Sequence, residues 1–420
     1  MKSEPGNSSI WPRYLCAWSW IAPVLALLLS AEAGASHTTV INNGPNSNRV
    51  NVVFLGDGYT AAQINTVYPA HIVAMTNHMF NPPPGILTRD PYPRYKNYFN
   101  VHRVNVISNE SGADLTPENI FRDTALDAQY FFDGATERLL YINETKANNA
   151  LSAGLGDAGF SADIRLLTVN DTRYGGGGGT YAVYAGGNNS ATEVALHELG
   201  HSFNGLADEY GGFTLPYGGA EPAEINVTKN SMGAKWSHWL GHNQPGIGVI
   251  GAYPGARYYD TGLYRPSQNS KMRTLDRPFD AISREKIVLD IYDLVDPLDG
   301  FLSNTLPLVD PPELWIDPID PNVIDLEWFV NGSIVAGAAS ESFTLLDYGY
   351  GPGLYTVQAR AFDPTGFDLV SGWVRRDQDQ LEQFVTWTVT QTVPEPGTIA
   401  LAVIGLLMLV GACYRNRRRP

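Results

Sequence analysis

The sequence predicts an α/β domain with a mainly parallel sheet, followed by a small β-sandwich. Three observations carry this. Strand-like runs at 50–55, 101–107 and 164–169 are separated by stretches long enough for crossover helices, the pattern of a parallel sheet covered on both faces. From about residue 305 the pattern shortens to alternating runs such as 324–330, closed by the hairpin signal Asn331-Gly332. Between them, 190–205 reads as a helix with Val194, Leu196, Leu199 and Phe203 on its buried side.

Taken in order, residues 1–35 read as an export signal. Lys2 and Arg13 precede an apolar segment from Ala17 to Leu29, and Ala31-Glu32-Ala33-Gly34-Ala35 gives small residues at cleavage spacing. Residues 36–304 read as the α/β domain and 305–391 as an Ig-like sandwich. The first strand runs into Gly56-Asp57-Gly58-Tyr59-Thr60; the third glycine of a dinucleotide fingerprint is missing, so this is a plain strand-turn-helix. A helix is expected over 127–148. The five glycines 175–179 permit close backbone approach; they read either as a cleft rim whose edge strand pairs with an extended substrate or as a flexible surface loop. The loop-rich 211–279 holds Trp236, Trp239, Tyr253, Tyr258, Tyr259 and Tyr264, which wall a cleft or pack beneath loops. A last helix is expected over 280–294.

Residues 392–420 form a distinct tail. Pro394-Glu395-Pro396 leads into an apolar run from Thr398 to Tyr414 and ends in Arg415, Arg417, Arg418 and Arg419. The run is close to the shortest that spans a bilayer, about 17 residues, with the arginines left on the cytoplasmic side.

Composition narrows the function classes. The 420 residues are 44% hydrophobic with a net charge of −15, and the two end segments together are net basic, so the remainder is more acidic still. That argues against nucleic acid and anionic membrane surfaces as partners. Cys16 and Cys413, one in each end segment, are the only cysteines, which excludes a cysteine-based zinc site and a structural disulfide in the exported part.

The chemistry concentrates in His197-Glu198-Leu199-Gly200-His201. Histidines four apart share a helix face and can hold one zinc ion at roughly 2.0–2.1 Å, while Glu198 can act as general base without ligating. Ser190 and Glu193 have the spacing of a capping box, and Gly205 suits a helix exit. The chain can then return Asp208 or Glu209 as a third ligand. His238 and His242 are also four apart but lack the glutamate, and read as structural or surface residues.

Two resemblances follow from these residues. From Thr39 to about Leu294, and more weakly to Val389, the chain resembles the IgA-peptidase family of bacterial zinc metallopeptidases. The matching pieces are Leu55 to Thr60, Phe99-Asn100-Val101, Ser108 to Gly112, Tyr174-Gly175-Gly176, His197 through Tyr210, Tyr264-Arg265-Pro266 and Met272-Arg273. The resemblance implies a catalytic domain with one Zn2+, with His197, His201 and Asp208 as ligands and Glu198 as base. It further implies Met272 in a turn beneath the metal and Tyr264 as a candidate oxyanion donor. The tail resembles the PEP-CTERM sorting signal, which implies export, transient anchoring in the inner membrane, cleavage by an exosortase-like protease and association with an extracellular polysaccharide matrix. The expected activity is hydrolysis of protein or peptide substrates by an endopeptidase. The alternatives are a zinc-stabilised adhesion or biofilm-matrix protein without catalysis, and an exopeptidase or amidase using the same metal chemistry.

Overall fold

The computed structural model describes residues 36–368 and 370–392; the export signal expected at 1–35 and the sorting tail from 393 onward lie outside the described residues. Among those described, no helix is long and apolar enough to cross a membrane.

The first part of the chain forms strands β1 (Ser36–Ile41) and β2 (Val50–Asp57), helix α1 (Val67–Phe80), strand β3 (Phe99–Asn105), helix α2 (Glu144–Leu155), strands β4 (Ile164–Val169), β5 (Gly176–Gly177) and β6 (Ala182–Ala185), and helix α3 (Ala191–Ser202). The strands make one sheet in the order β1-β3-β2-β4-β6-β5. The inner four are mutually parallel, and the edge strands β1 and β5 run antiparallel to their neighbours. All eight residues of β2 are buried, because the sheet is covered on both faces. Val50, Val52 and Phe54 join the core that holds Tyr68 and Ile72 of α1 and Leu196 and Leu199 of α3. Val53 and Leu55 point the opposite way, into the core of Ala147 and Leu151 from α2.

The helix expected over 127–148 starts only at Glu144. Asn143 caps it, its side chain accepting the Lys146 N–H at 3.2 Å. Tertiary contacts hold the preceding segment out of helix. The buried Asp57 carboxylate accepts the N–H groups of Leu126 and Ala128 at 3.0 and 2.9 Å, and Gln129 bridges to Tyr141. Local propensity yields to these long-range bonds.

Two ribbons follow, β7 (Asn243–Gln244) with β8 (Gly248–Val249), and β9 (Tyr253–Ala256) with β10 (Tyr259–Arg265). Helix α4 (Ala281–Tyr292) then starts at Asp280, whose side chain accepts the Ser283 N–H. It is buried on nearly every side, as expected for a helix enclosed by protein.

Strands β11 (Leu298–Phe301), β12 (Leu308–Val309), β13 (Leu314–Pro318), β14 (Asp325–Val330), β15 (Ser333–Ile334), β16 (Ser342–Phe343), β17 (Gly353–Phe362) and β18 (Glu382–Gln391) complete the chain. They form a three-stranded sheet, β11-β13-β16, and a five-stranded sheet, β12-β18-β17-β14-β15. Trp328 stacks on Phe343 and Trp387 at 5.0 and 5.7 Å between ring centroids. Asn331 and Gly332, both at positive φ, close the β14–β15 hairpin. Strand β11, which precedes residue 305, pairs with β13.

The two units share one core. Ile287, Val288 and Ile291 of α4 fall in one cluster with Val50 and Leu199 from the first part of the chain and Trp328 and Trp387 from the last. At the junction the fully buried Asp363 accepts bonds from Arg94, Tyr95 Oη and Tyr292 Oη.

Candidate metal centre

Helix α3 carries His197, Glu198 and His201 across an open cleft of about 470 Å³. Leu196 and Leu199 are fully buried, which fixes the rotation of the helix and leaves the histidine face toward the cleft. Glu193, read from sequence as half of a capping box, does not cap; Ser190 makes no side-chain cap bond. Its buried carboxylate instead pairs with Lys271 Nζ, His78 and Arg89 and accepts the Asp276 N–H. Four partners across the fold outweigh one local bond, and they tie α3 to α1 and to the 270–276 turn.

The same turn orients the first histidine. His197 Nδ1 meets the Lys271 carbonyl at 3.0 Å, and His201 Nδ1 meets the Leu206 carbonyl at 2.6 Å. A carbonyl only accepts, so each Nδ1 carries the proton and each Nε2 is left with a lone pair. Beneath them the buried Met272 packs on the helix: a β-carbon at Gly200 would fall 2.7 Å from its Sδ.

Past α3 the chain turns back at Gly205, whose φ is +60° and where the Leu206 N–H reaches the Gly200 carbonyl at 2.9 Å. Asn226 then grips the returning strand. It accepts the Ala207 N–H and donates to the Ala207 carbonyl and to Glu209 Oε1, each at 2.9–3.0 Å. Because side chains alternate in extended chain, turning Glu209 toward Asn226 turns Asp208 toward the histidines. Glu209 is fully buried, accepts from Ser270 Oγ at 2.7 Å, and its N–H bonds the Met272 carbonyl. Asp208 meets the histidines; Glu209 pins the methionine turn, and contacts neither histidine.

The three candidate ligand atoms form a small triangle. His197 Nε2 lies 3.1 Å from Asp208 Oδ1, His201 Nε2 lies 3.3 Å from it, and the two Nε2 atoms are 3.2 Å apart. Tetrahedral bonds of about 2.0–2.1 Å separate ligand atoms by about 3.3 Å, so the spacing suits one ion. The second oxygen of Asp208 is taken by Tyr258 Oη at 2.6 Å and Tyr210 Oη at 3.0 Å, which leaves Oδ1 for the centre. A proton can relieve the facing lone pairs. Burial opposes charge on His201, but the hydrogen bond and charge of Asp208 push it up to about 9. Burial likewise opposes charge on Asp208, and the two histidines overcome it and hold the carboxyl well below the usual range. A site with this preference for a shared positive charge fits a divalent cation.

Glu198 lines the same cleft. Burial pushes its carboxyl up, against the opposing charges of His197 and His201. The glycine run explains how it fits. A β-carbon at Gly176 would fall 2.7 Å from Glu198 Oε1, and one at Gly178 would fall 2.6 Å from His201 Cβ. The close approach is to the chain's own helix. The outer edge of β5 is already paired, since the Gly176 N–H bonds the Arg138 carbonyl and the Leu140 N–H bonds the Gly176 carbonyl. A substrate strand therefore has no free edge at Gly176.

Tyr264 is away from this centre. It sits in β10, paired with Pro254 and bridged to Thr228, and does not line the cleft; Tyr141, Tyr174, Tyr210 and Tyr258 do. Tyr258, one of the aromatic residues offered by the sequence for a cleft wall, does line it, but its bond to Asp208 has no sequence signal. It stands in the β9–β10 turn with Arg257, both at positive φ (70° and 48°), a backbone state that non-glycine residues adopt at a cost. Its 50-residue separation from Asp208 leaves no local signal. Tyr210, two residues after Asp208, is visible in the motif itself.

Among the described residues, His197, His201 and Asp208 are a group able to hold a metal ion. The family described as IgA Peptidase M64 matches residues 38–248, half of the chain, and the chain belongs to that family of metallopeptidases. The matched span includes the three candidate ligands and Glu198, and ends before Tyr258 and Met272. No curated protein matches the chain.

Proposed function

We propose that this member of the IgA Peptidase M64 family is an exported zinc endopeptidase, with His197, His201 and Asp208 as ligands and Glu198 as general base. The supporting observation is the convergence of three lone-pair donors within 3.1–3.3 Å of one another, beside a raised carboxyl in an open cleft. The chemistry supplied by zinc at such a set is Lewis acidity toward a carbonyl and a lowered pKa for water at the open position.

The chain's own groups do the rest. Glu198 accepts a proton from the attacking water and returns it to the leaving amine nitrogen. The raised pKa makes its carboxylate a stronger base and its acid form easier to keep until the amine departs. The Lys271 and Leu206 carbonyls hold both imidazoles in the ligating tautomer. Tyr258 and Tyr210 keep Asp208 from rotating. A donor to the developing oxyanion is drawn from the cleft phenols rather than from Tyr264.

Export rests on the signal-like residues 1–35 and the Pro394-Glu395-Pro396 tail. The partners we propose on that basis are an exosortase-like processing protease and an extracellular polysaccharide matrix. Endopeptidase action is carried forward over exopeptidase or amidase action, and the presence of internal fragments in a protein digest separates them.

The test is digestion of a casein-type protein. A chelator should abolish it and zinc should restore it. Glu198→Gln should retain about one zinc per chain yet lose roughly 10²–10⁴-fold in turnover. Near-normal digestion by that variant would rule out the base, and products lacking internal fragments would rule out the endopeptidase.

A further inference from the structure

We infer that Arg138 is a specificity residue, and that the cleft selects peptides presenting a carboxylate beside the scissile bond. The inference rests on the peptidase reading above and names its substrate class.

Arg138 lines the same cleft as Glu198, and its backbone is fixed there. Its carbonyl accepts the Gly176 N–H at 3.0 Å, and Gly176 is the residue on which the Glu198 carboxylate packs. The side chain is exposed and lines the cleft together with Tyr174, Gly176 and Tyr258. No ion pair engages it among the described residues, whereas Arg49, Arg94, Arg173 and Arg360 each have a carboxylate partner. In a chain with 43 acidic and 28 basic residues, an exposed arginine left unpaired at a cleft is a vacancy for a carboxylate from outside.

Two more arginines line the cleft. Arg273 is exposed, its guanidinium bonded to the Gln268 carbonyl, and Arg257 is loosely paired with Glu224 at 3.6 Å. Apart from Glu198 and Asp208, Glu224 is the only acid on the wall. A guanidinium presents a planar fork that matches a carboxylate with two parallel bonds, which a lysine cannot do. The carboxylate can come from a glutamate or aspartate side chain or from a free C-terminus.

The experiment uses the zinc-loaded full chain. Bonds cleaved in a casein-type digest are copied into peptides with glutamate, glutamine or lysine at each flanking position, each made with a free or an amidated C-terminus. At one flanking position kcat/KM for glutamate should exceed that for glutamine by about tenfold or more. Arg138→Gln should bring the ratio near one, and Arg138→Glu should reverse it in favour of lysine. Zinc content should match wild type in both variants, since among the described residues the side chain makes no ion pair and is none of the three candidate ligands. If the advantage follows the free C-terminus instead, and falls with Arg138→Gln, the carboxylate read is the terminal one. Equal cleavage of all peptides by wild type, or an advantage that survives Arg138→Gln, overturns the inference and leaves the peptidase reading intact. Failure to cleave any peptide or protein overturns the peptidase reading, and this inference with it.

Discussion

Two regions of this protein carry histidines four residues apart, and they do opposite things. His197 and His201 lie on one continuous helix, with both Nδ1 atoms satisfied by carbonyls and both Nε2 atoms facing a carboxylate. His238 lies in a short 3₁₀ turn that ends at Trp239, and the chain bends at Gly241 before His242. His238 Nε2 is consumed by Glu285 at 2.8 Å, and His242 Nδ1 by the Arg375 guanidinium at 3.2 Å. Glu285 in turn is engaged by Arg376 and by the Arg375 N–H. Equal spacing thus has two outcomes: at 197 and 201 both Nε2 atoms face each other and Asp208 Oδ1, whereas at 238 and 242 each ring is already bonded to a charged side chain.

The largest test of that contrast replaces each pair. His197→Ala or His201→Ala should lower zinc from about one per chain to near zero by elemental analysis, with peptidase activity lost in parallel. His238→Ala should leave zinc content unchanged and instead cost about 1–3 kcal/mol in denaturant unfolding, because it removes a partner of a buried carboxylate. Loss of zinc in His238→Ala would erase the distinction.

Next in size is the contrast between adjacent acids. Asp208→Ala should weaken zinc binding as strongly as loss of a histidine. Glu209→Ala should cost about 10–100-fold in affinity, through the Asn226 and Ser270 contacts that aim its neighbour. Competition with a fluorescent chelator measures both, and the reverse ranking would move the ligand role to Glu209. Smaller again is Tyr258→Phe. It removes one of two phenol bonds to Asp208 Oδ2 and should lower zinc affinity up to about tenfold, whereas Tyr264→Phe should not.

The smallest effect concerns a buried histidine whose side-chain partners are His37 and Thr39. Burial first, and then the charge of His37, push His102 down to about 4. The unfolded chain, with an imidazole near about 6.5, binds this proton before the native chain does. Its contribution to stability is therefore complete above about pH 6.5 and is lost as pH falls toward about 4. The melting temperature should decline across that window, and less steeply in His102→Gln. A flat profile in wild type would contradict the burial argument.

Much of the site was legible because its chemistry is local. A four-residue spacing on a helix brings His197 and His201 together by helical geometry alone, with Glu198 beside them, and the Gly205 exit can be read without knowing any distant contact. The alternating runs from 324 onward and the Asn331-Gly332 turn are likewise local statements about strands. The misjudged elements fail for the opposite reason. Whether 127–143 is helical depends on Asp57, far away in sequence, and whether Glu193 caps its helix depends on Lys271 and His78. The sequence alone therefore determined which residue types could hold a metal and move a proton, since those follow from spacing. Only the tertiary structure placed Asp208, rather than Glu209, beside the two histidines, and Tyr258, rather than Tyr264, beside Asp208. Those outcomes turn on hydrogen bonds that close over 17 to 61 residues, which no local pattern encodes.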